Sequence, residues 1–173
     1  MLIVFGGLPG VGKTTIAASV ARRIGAGFVR IDAIESGIRR AGLEPPGGLG
    51  AAGYEIAHQV VRSMLHQNLD VVVDAVNPVG EARQGWVDLA DELRVVSRTI
   101  EVVCRDVELH RRRVEDRDAD LPGHVVPTWQ DVTDLSYEPW PEVDLVVDSA
   151  GPGDVRLDEI VALLGRRDDR SDR

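Results

Sequence analysis

The sequence predicts a three-layer α/β domain, about five parallel strands covered by helices on both faces. Three observations carry that prediction. Short β-branched apolar runs alternate with segments of helical periodicity from Leu2 to about Leu164, the pattern of strands buried on both sides. A glycine-rich turn joins the first run to the first helix. No linker, repeat or low-complexity stretch divides the 173 residues, a length that suits one core.

The elements follow in order. Leu2–Gly6 reads as a buried strand, and Lys13–Ile24 as a helix with Ile16, Ala17, Val20, Ala21 and Ile24 at helical spacing. The strand Phe28–Ile31 ends at Asp32, and the helix Ala33–Ala41 stops at Gly42. Glu44–Gly53 is rich in Pro and Gly and reads as a loop. Next come a helix at Tyr54–Gln67, a strand at Asp70–Asp74, a helix at Glu81–Leu93 and a strand at Arg98–Cys104. A charged helix, Val107–Arg117, precedes a break at Pro122–Pro127 and a short helix at Thr128–Leu135. The strand Val143–Val147 and the helix Val155–Leu164 close the domain, expected to span residues 1–165, with a polar tail over 166–173.

Composition narrows the function classes. The formal net charge is −9, whereas a general nucleic-acid binder shows a basic field, because phosphate neutralisation drives its affinity. Nucleic acid is therefore not an expected partner, although a local basic site remains open. No apolar run approaches the roughly 18–20 residues that span a membrane. Leu2–Phe5 is apolar but lacks the basic flank of a signal peptide, so cytoplasmic residence is the default expectation. The single cysteine, Cys104, closes the apolar run Ile100–Cys104 and is expected to be a buried structural thiol.

The first strand runs into Gly7-Leu8-Pro9-Gly10-Val11-Gly12-Lys13-Thr14, followed by Thr15. This spacing is the Walker A phosphate loop of the P-loop NTPase fold. Its glycines let successive backbone N–H groups turn toward phosphate oxygens, and the helix N-terminus adds partial positive charge. Lys13 would reach the β- and γ-phosphates of ATP, and the Thr14 hydroxyl would ligate Mg²⁺. A chance glycine turn is the alternative, but the strand before the loop and the helix after it argue against one. Lys13 is also the only lysine beside 19 arginines. A compact ammonium fits between phosphates where a planar guanidinium does not.

In such sheets ligands gather at the carboxyl ends of the strands. Asp32 follows the second strand, where a carboxylate can accept a proton from an attacking hydroxyl or assist Mg²⁺. It also reads as the N-cap of the next helix, with Glu35 at the capping-box position. Asp74 ends the third strand and suits Mg²⁺ through water; a simple strand-end cap is the bland reading. Asn77 and Arg83 come soon after and can face substrate or solvent.

A basic cluster, Arg111-Arg112-Arg113 with Arg117, sits on the charged helix. Arg113 and Arg117 are i, i+4 and would share a side, forming either a phosphate clamp or a solvated face partly neutralised by Asp116, Asp118 and Asp120. Arg105 is a further candidate. His58, His66, His110 and His124 show no metal-ligand spacing, and a catalytic histidine is not expected. Trp129, Tyr137 and Trp140 either line a substrate pocket or pack the irregular segment around them.

With these residues in view, the chain resembles a broad family of P-loop kinases. That family includes chloramphenicol phosphotransferase, zeta-toxin-type kinases and the kinase domain of polynucleotide kinases, with shikimate and gluconate kinases more distant. The resemblance rests on Gly7–Thr15, the strand ending in Asp32, the segment Val71–Asn77 and Arg113-x3-Arg117, and covers Leu2 to about Leu164. It implies γ-phosphate transfer from ATP to a hydroxyl, Asp32 as base, and Arg113 and Arg117 as arginines of a lid at about residues 105–127. Many relatives carry an arginine soon after the strand-two aspartate; here Ala33-Ile34-Glu35-Ser36 intervene before Arg39 and Arg40. Glu35 in its place suggests a cationic or polyhydroxylic acceptor.

The leading expectation is an ATP- and Mg²⁺-dependent kinase for a small-molecule hydroxyl, an antibiotic or other secondary metabolite among the candidates. A nucleoside monophosphate kinase using Arg39, Arg40 and Arg83 is the second. A nucleotide-switched binding protein or ATPase without an acceptor is the third.

Overall fold

The computed structural model describes residues 1–119, 121–122, 125–151 and 153–165. Asp120, His124 and the expected tail at 166–173 lie outside the described residues. Five parallel strands form one sheet in the order β2-β3-β1-β4-β5. They are β1 (Leu2–Gly6), β2 (Gly27–Arg30), β3 (Val71–Asp74), β4 (Ser97–Val103) and β5 (Leu145–Asp148). The helices are α1 (Lys13–Ile24), α2 (Ile31–Arg40), α3 (Ala52–His66), α4 (Gly80–Leu93), α5 (Val107–Glu115), α6 (Trp129–Asp134) and α7 (Gly153–Gly165).

Side-chain alternation on β1 divides the core. Leu2 and Val4 join Val71, Val73 and the α3 and α4 residues Ala57, Val61, Trp86 and Leu89 on one face. Ile3 and Phe5 join Val72, Ile100, Val102 and the α1 and α7 residues Val20, Ala21 and Ile160 on the other. The central strands are thus covered on both faces, which is why they are continuously apolar. No helix among the described residues is long and apolar enough to cross a membrane.

Several expected boundaries move, and two of the moves matter for the site. β2 ends at Arg30, so α2 begins at Ile31 and Asp32 lies in its first turn. Arg30 is the N-cap, and no side chain caps this helix; the capping reading of Asp32 and Glu35 is therefore wrong. Helix α5 ends at Glu115 with Asp116 as C-cap, so Arg117 lies beyond it and the i, i+4 argument for Arg113 and Arg117 does not hold. β5 begins at Leu145, after Asp144 accepts from the Thr99 N–H at 2.7 Å. The α6 start is well specified: Thr128 accepts from Asp131 N–H, and the Asp131 carboxylate accepts from Thr128 N–H, a reciprocal cap.

Candidate functional site

Register brings the strand ends together. Phe5 of β1 stands beside Asp74 of β3, and Arg30 of β2 stands on the other side of Asp74. The loop Gly7–Thr14 rises from β1 at this edge and runs into α1, whose N-cap is Gly12. Its first N–H, from Gly7, donates to the Val76 carbonyl at 3.1 Å and ties the loop to the segment after β3. Two glycines have conformations and contacts that exclude a side chain. Gly7 (φ 137°) would drive a Cβ into the Val102 carbonyl, and Gly10 (φ 82°) would drive one into Val114 of α5.

Lys13 and Asp74 are both buried, with the ammonium 3.8 Å from Asp74 Oδ1. Arg30, also buried, sits on the far side, its Nε 3.9 Å from Asp74 Oδ2 and its Nη2 3.0 Å from Asp32 Oδ2. Both Asp74 oxygens are buried and accept no hydrogen bond among the described residues. Such an orphaned carboxylate is costly unless charge compensates it. With the hydroxyl of Thr14 in the first turn of α1 it offers the hard oxygen donors that Mg²⁺ prefers, and these residues fit that ion. Among the described residues no group of three or more His, Cys, Asp or Glu forms a metal cluster; a Mg²⁺ held largely by phosphate and water does not need one.

Over the loop opens a cleft of about 450 Å³ lined by Gly10, Gly12, Lys13, Thr14, Thr15, Ile16, Arg113, Arg117, Asp118 and Ser149. Arg113 donates from Nη1 to Ser149 Oγ at 2.8 Å and from Nη2 to the Ser149 carbonyl at 3.3 Å. It thus spans from α5 to the loop after β5, directly above Gly12. Arg117 reaches the same cleft from outside the helix. Of the other basic candidates, Arg111 pairs with Glu115 at 2.8 Å in solvent, and Arg105 contributes its backbone N–H to Asp148. Leu8 and Val11 turn away from the cleft, toward a smaller cavity shared with Val102, Cys104, His110 and Tyr137.

Beside Asp32, burial pushes the Glu35 carboxyl above its usual range, opposed by Arg39. Arg39 contacts Glu35 at 3.5 Å and Glu44 at 3.3 Å. Tyr54 accepts from the Asn77 N–H at 3.1 Å, and burial raises its hydroxyl to about 12.

Three candidates, Asn77, Arg83 and Trp140, prove to be internal packing. Asn77 is fully buried; its Nδ2 donates to the Phe5 carbonyl at 3.0 Å and its Oδ1 accepts from Trp86 Nε1 at 3.0 Å. Arg83 is buried and donates to the carbonyls of Asn77, Pro78, Glu138 and Pro139. Its guanidinium lies over the rings of Tyr137 and Trp140, and Trp140 packs against Gly6 in the core. Cys104 lies beyond the end of β4 and is half-buried against the edge of the core, less enclosed than expected.

Sequence reasoning missed two residues. Arg30 has no motif of its own, because its role comes from pairing in register with Asp74. His110 has no ligand-like spacing, because its partner is the Pro9 carbonyl, 2.8 Å from Nε2.

The family model described as AAA domain matches residues 2–135. The chain belongs to the AAA-domain family. Solved structures share its fold across nearly the whole chain. A kinase from Chloroflexus aurantiacus, described as putative, is 19% identical, with 94% of this chain and 95% of that one covered at a TM-score of 0.77. The Mycobacterium tuberculosis APS kinase, in complex with AMPPNP and APS, is 18% identical, with 95% and 97% covered at 0.66. A gluconokinase from Sinorhizobium meliloti is 21% identical, with 95% and 91% covered at 0.64. No curated protein matches the chain. The fold of this AAA-domain protein is thus that of P-loop kinases.

Proposed function

We propose that this protein is an ATP- and Mg²⁺-dependent kinase that transfers the γ-phosphate to a hydroxyl of a small molecule. One observation carries the reading: Lys13 and the orphaned Asp74 lie under the glycine loop, with Arg113 above it and Asp32 held to one side by Arg30. The loop N–H groups and Lys13 hold the phosphates. Mg²⁺, taken by Thr14 and Asp74, supplies charge neutralisation on the phosphate oxygens. Asp32 accepts the proton of the attacking hydroxyl as its oxygen bonds to the γ-phosphorus, the bond from that phosphorus to the β–γ bridging oxygen breaks, and ADP leaves. Arg113 and Arg117, on a lid over residues 105–127 within a single domain of residues 1–165, stabilise charge on the transferring group.

A small neutral or cationic acceptor is favoured over a nucleoside monophosphate. Of the three arginines that reading needs, Arg83 is consumed by four carbonyls and Arg39 by Glu35 and Glu44, and Arg40 is exposed at the end of α2. An antibiotic or other secondary metabolite fits both this and the resemblance to chloramphenicol phosphotransferase. The test is phosphorylation of a metabolite pool by the wild type, read by mass spectrometry, with Asp32→Asn beside it. Loss of roughly 10²–10⁴ in turnover with ATP binding intact is expected. Steady ADP release that no acceptor accelerates would overturn the reading in favour of a non-transferring ATPase.

A further inference from the structure

The phosphate loop is anchored from above as well as from its own strand and helix. A loop that aims its N–H groups inward must turn carbonyls outward, and each outward carbonyl needs a donor or water. The Pro9 carbonyl has a donor in His110 Nε2, 2.8 Å away. Because a carbonyl only accepts, Nε2 must carry the proton.

His110 is built for this contact. It is 6% exposed, and its ring meets Trp129 edge-on, with centroids 5.1 Å apart at 89°. The loop and helix also meet closely at Gly10: a side chain there would strike Val114, with the His110 ring in contact just beyond it. His110 and Arg113 are i, i+3 on α5 and share one face of it. The same helix face therefore touches the loop at Pro9 and reaches Ser149 over Gly12.

We propose that His110 is a positioning residue for nucleotide binding, fixing the Pro9–Gly10 turn to α5 so that the loop N–H groups and Arg113 are presented together. This rests on the kinase reading only in that the loop must bind a nucleotide; no transfer step is needed.

The experiment is direct titration of ADP and ATP against the wild type, His110→Phe and His110→Gln, with the melting temperature of each nucleotide-free protein alongside. Phe keeps the ring against Trp129 and removes the donor. Gln keeps a donor close to the Nε2 position. Leaving the part-buried Pro9 carbonyl without its His110 donor should loosen the loop and weaken nucleotide binding roughly tenfold in His110→Phe, with most of the affinity restored in His110→Gln. Equal affinity in wild type and His110→Phe overturns the inference. So does equal loss in Phe and Gln, which would mean that only ring packing matters. If His110→Phe does not fold, His110→Asn replaces it: Asn is one carbon short of Pro9, so affinities equal to those of Gln again overturn the inference. Wild-type protein that binds no nucleotide would overturn the kinase reading itself, a result distinct from variants that match a binding wild type.

Discussion

Arg30 holds Asp32 through a contact of 3.0 Å between Nη2 and Oδ2, across the boundary between β2 and α2. The same guanidinium lies within 3.9 Å of Asp74. One buried cation thus sets the spacing of the two carboxylates on which the proposed chemistry depends.

Arg30→Gln is expected to lower turnover more than it raises the KM for ATP. Asp32 would lose its orientation, whereas the loop would be untouched. A tenfold or greater fall in kcat with KM(ATP) within about twofold is the expected pattern, since misplacement of a reacting group by an ångström can cost about a hundredfold. Steady-state kinetics on both variables decides it; an unchanged kcat would mean that Asp32 needs no such support.

Lys13→Arg should behave as a loss, not as a conservative change. Lys13 sits buried 3.8 Å from Asp74, and a wider planar fork does not fit there. Transfer activity is expected to fall at least a hundredfold, about as far as in Lys13→Ala, since a clamp on the transferring phosphoryl group is worth that much. Radiolabelled phosphate transfer measures both; an arginine variant with near-normal activity would contradict the geometry.

Arg83→Met tests the correction from a substrate-facing to a structural role. The variant strips donors from four carbonyls and leaves them in a partly dry site. Destabilisation of about 2–4 kcal/mol is expected, seen as a lower midpoint in urea. The KM for the acceptor should be unchanged at temperatures where the variant is folded; a specific rise would return Arg83 to the acceptor site.

Glu35 makes stability depend on pH. Burial raises its folded-state pKa above the unfolded value, so the folded state binds the proton more tightly. Folding is then favoured at low pH, and that contribution is lost as pH rises from the ordinary carboxylate range through the raised value. Glu35→Gln should therefore match the wild type at about pH 4 and exceed it at pH 7, because burial outweighs the opposing pull of Arg39. Thermal melts across this range show the sign. If Glu35→Gln also leaves acceptor affinity unchanged, the carboxylate has no part in recognition.

The order of strands and helices, the loop Gly7–Thr14 and the strand-end position of Asp74 were legible because they rest on local signals, whereas Asp32 falls in the first turn of α2. Apolar periodicity, glycine spacing and strand length act over a few residues, and they mark elements well even where ends shift. Such signals do not say which buried polar group meets which. Arg113 meets Ser149 at a separation of 36 residues, Arg83 meets Glu138 at 55 and His110 meets Pro9 at 101. The end of α5 before Arg117 likewise broke a pairing drawn from helical spacing.

The sequence by itself thus determined that a glycine loop with a single lysine would stand between a buried strand and a helix. Only the tertiary structure decided that Arg30 would bridge the two carboxylates, that Asn77 and Arg83 would turn inward, and that α5 would rest on the loop. The reason is physical. A backbone turn is specified by residues adjacent in the chain, whereas the partner of a buried charge or carbonyl is whatever the packed sheet brings within 3 to 4 Å of it.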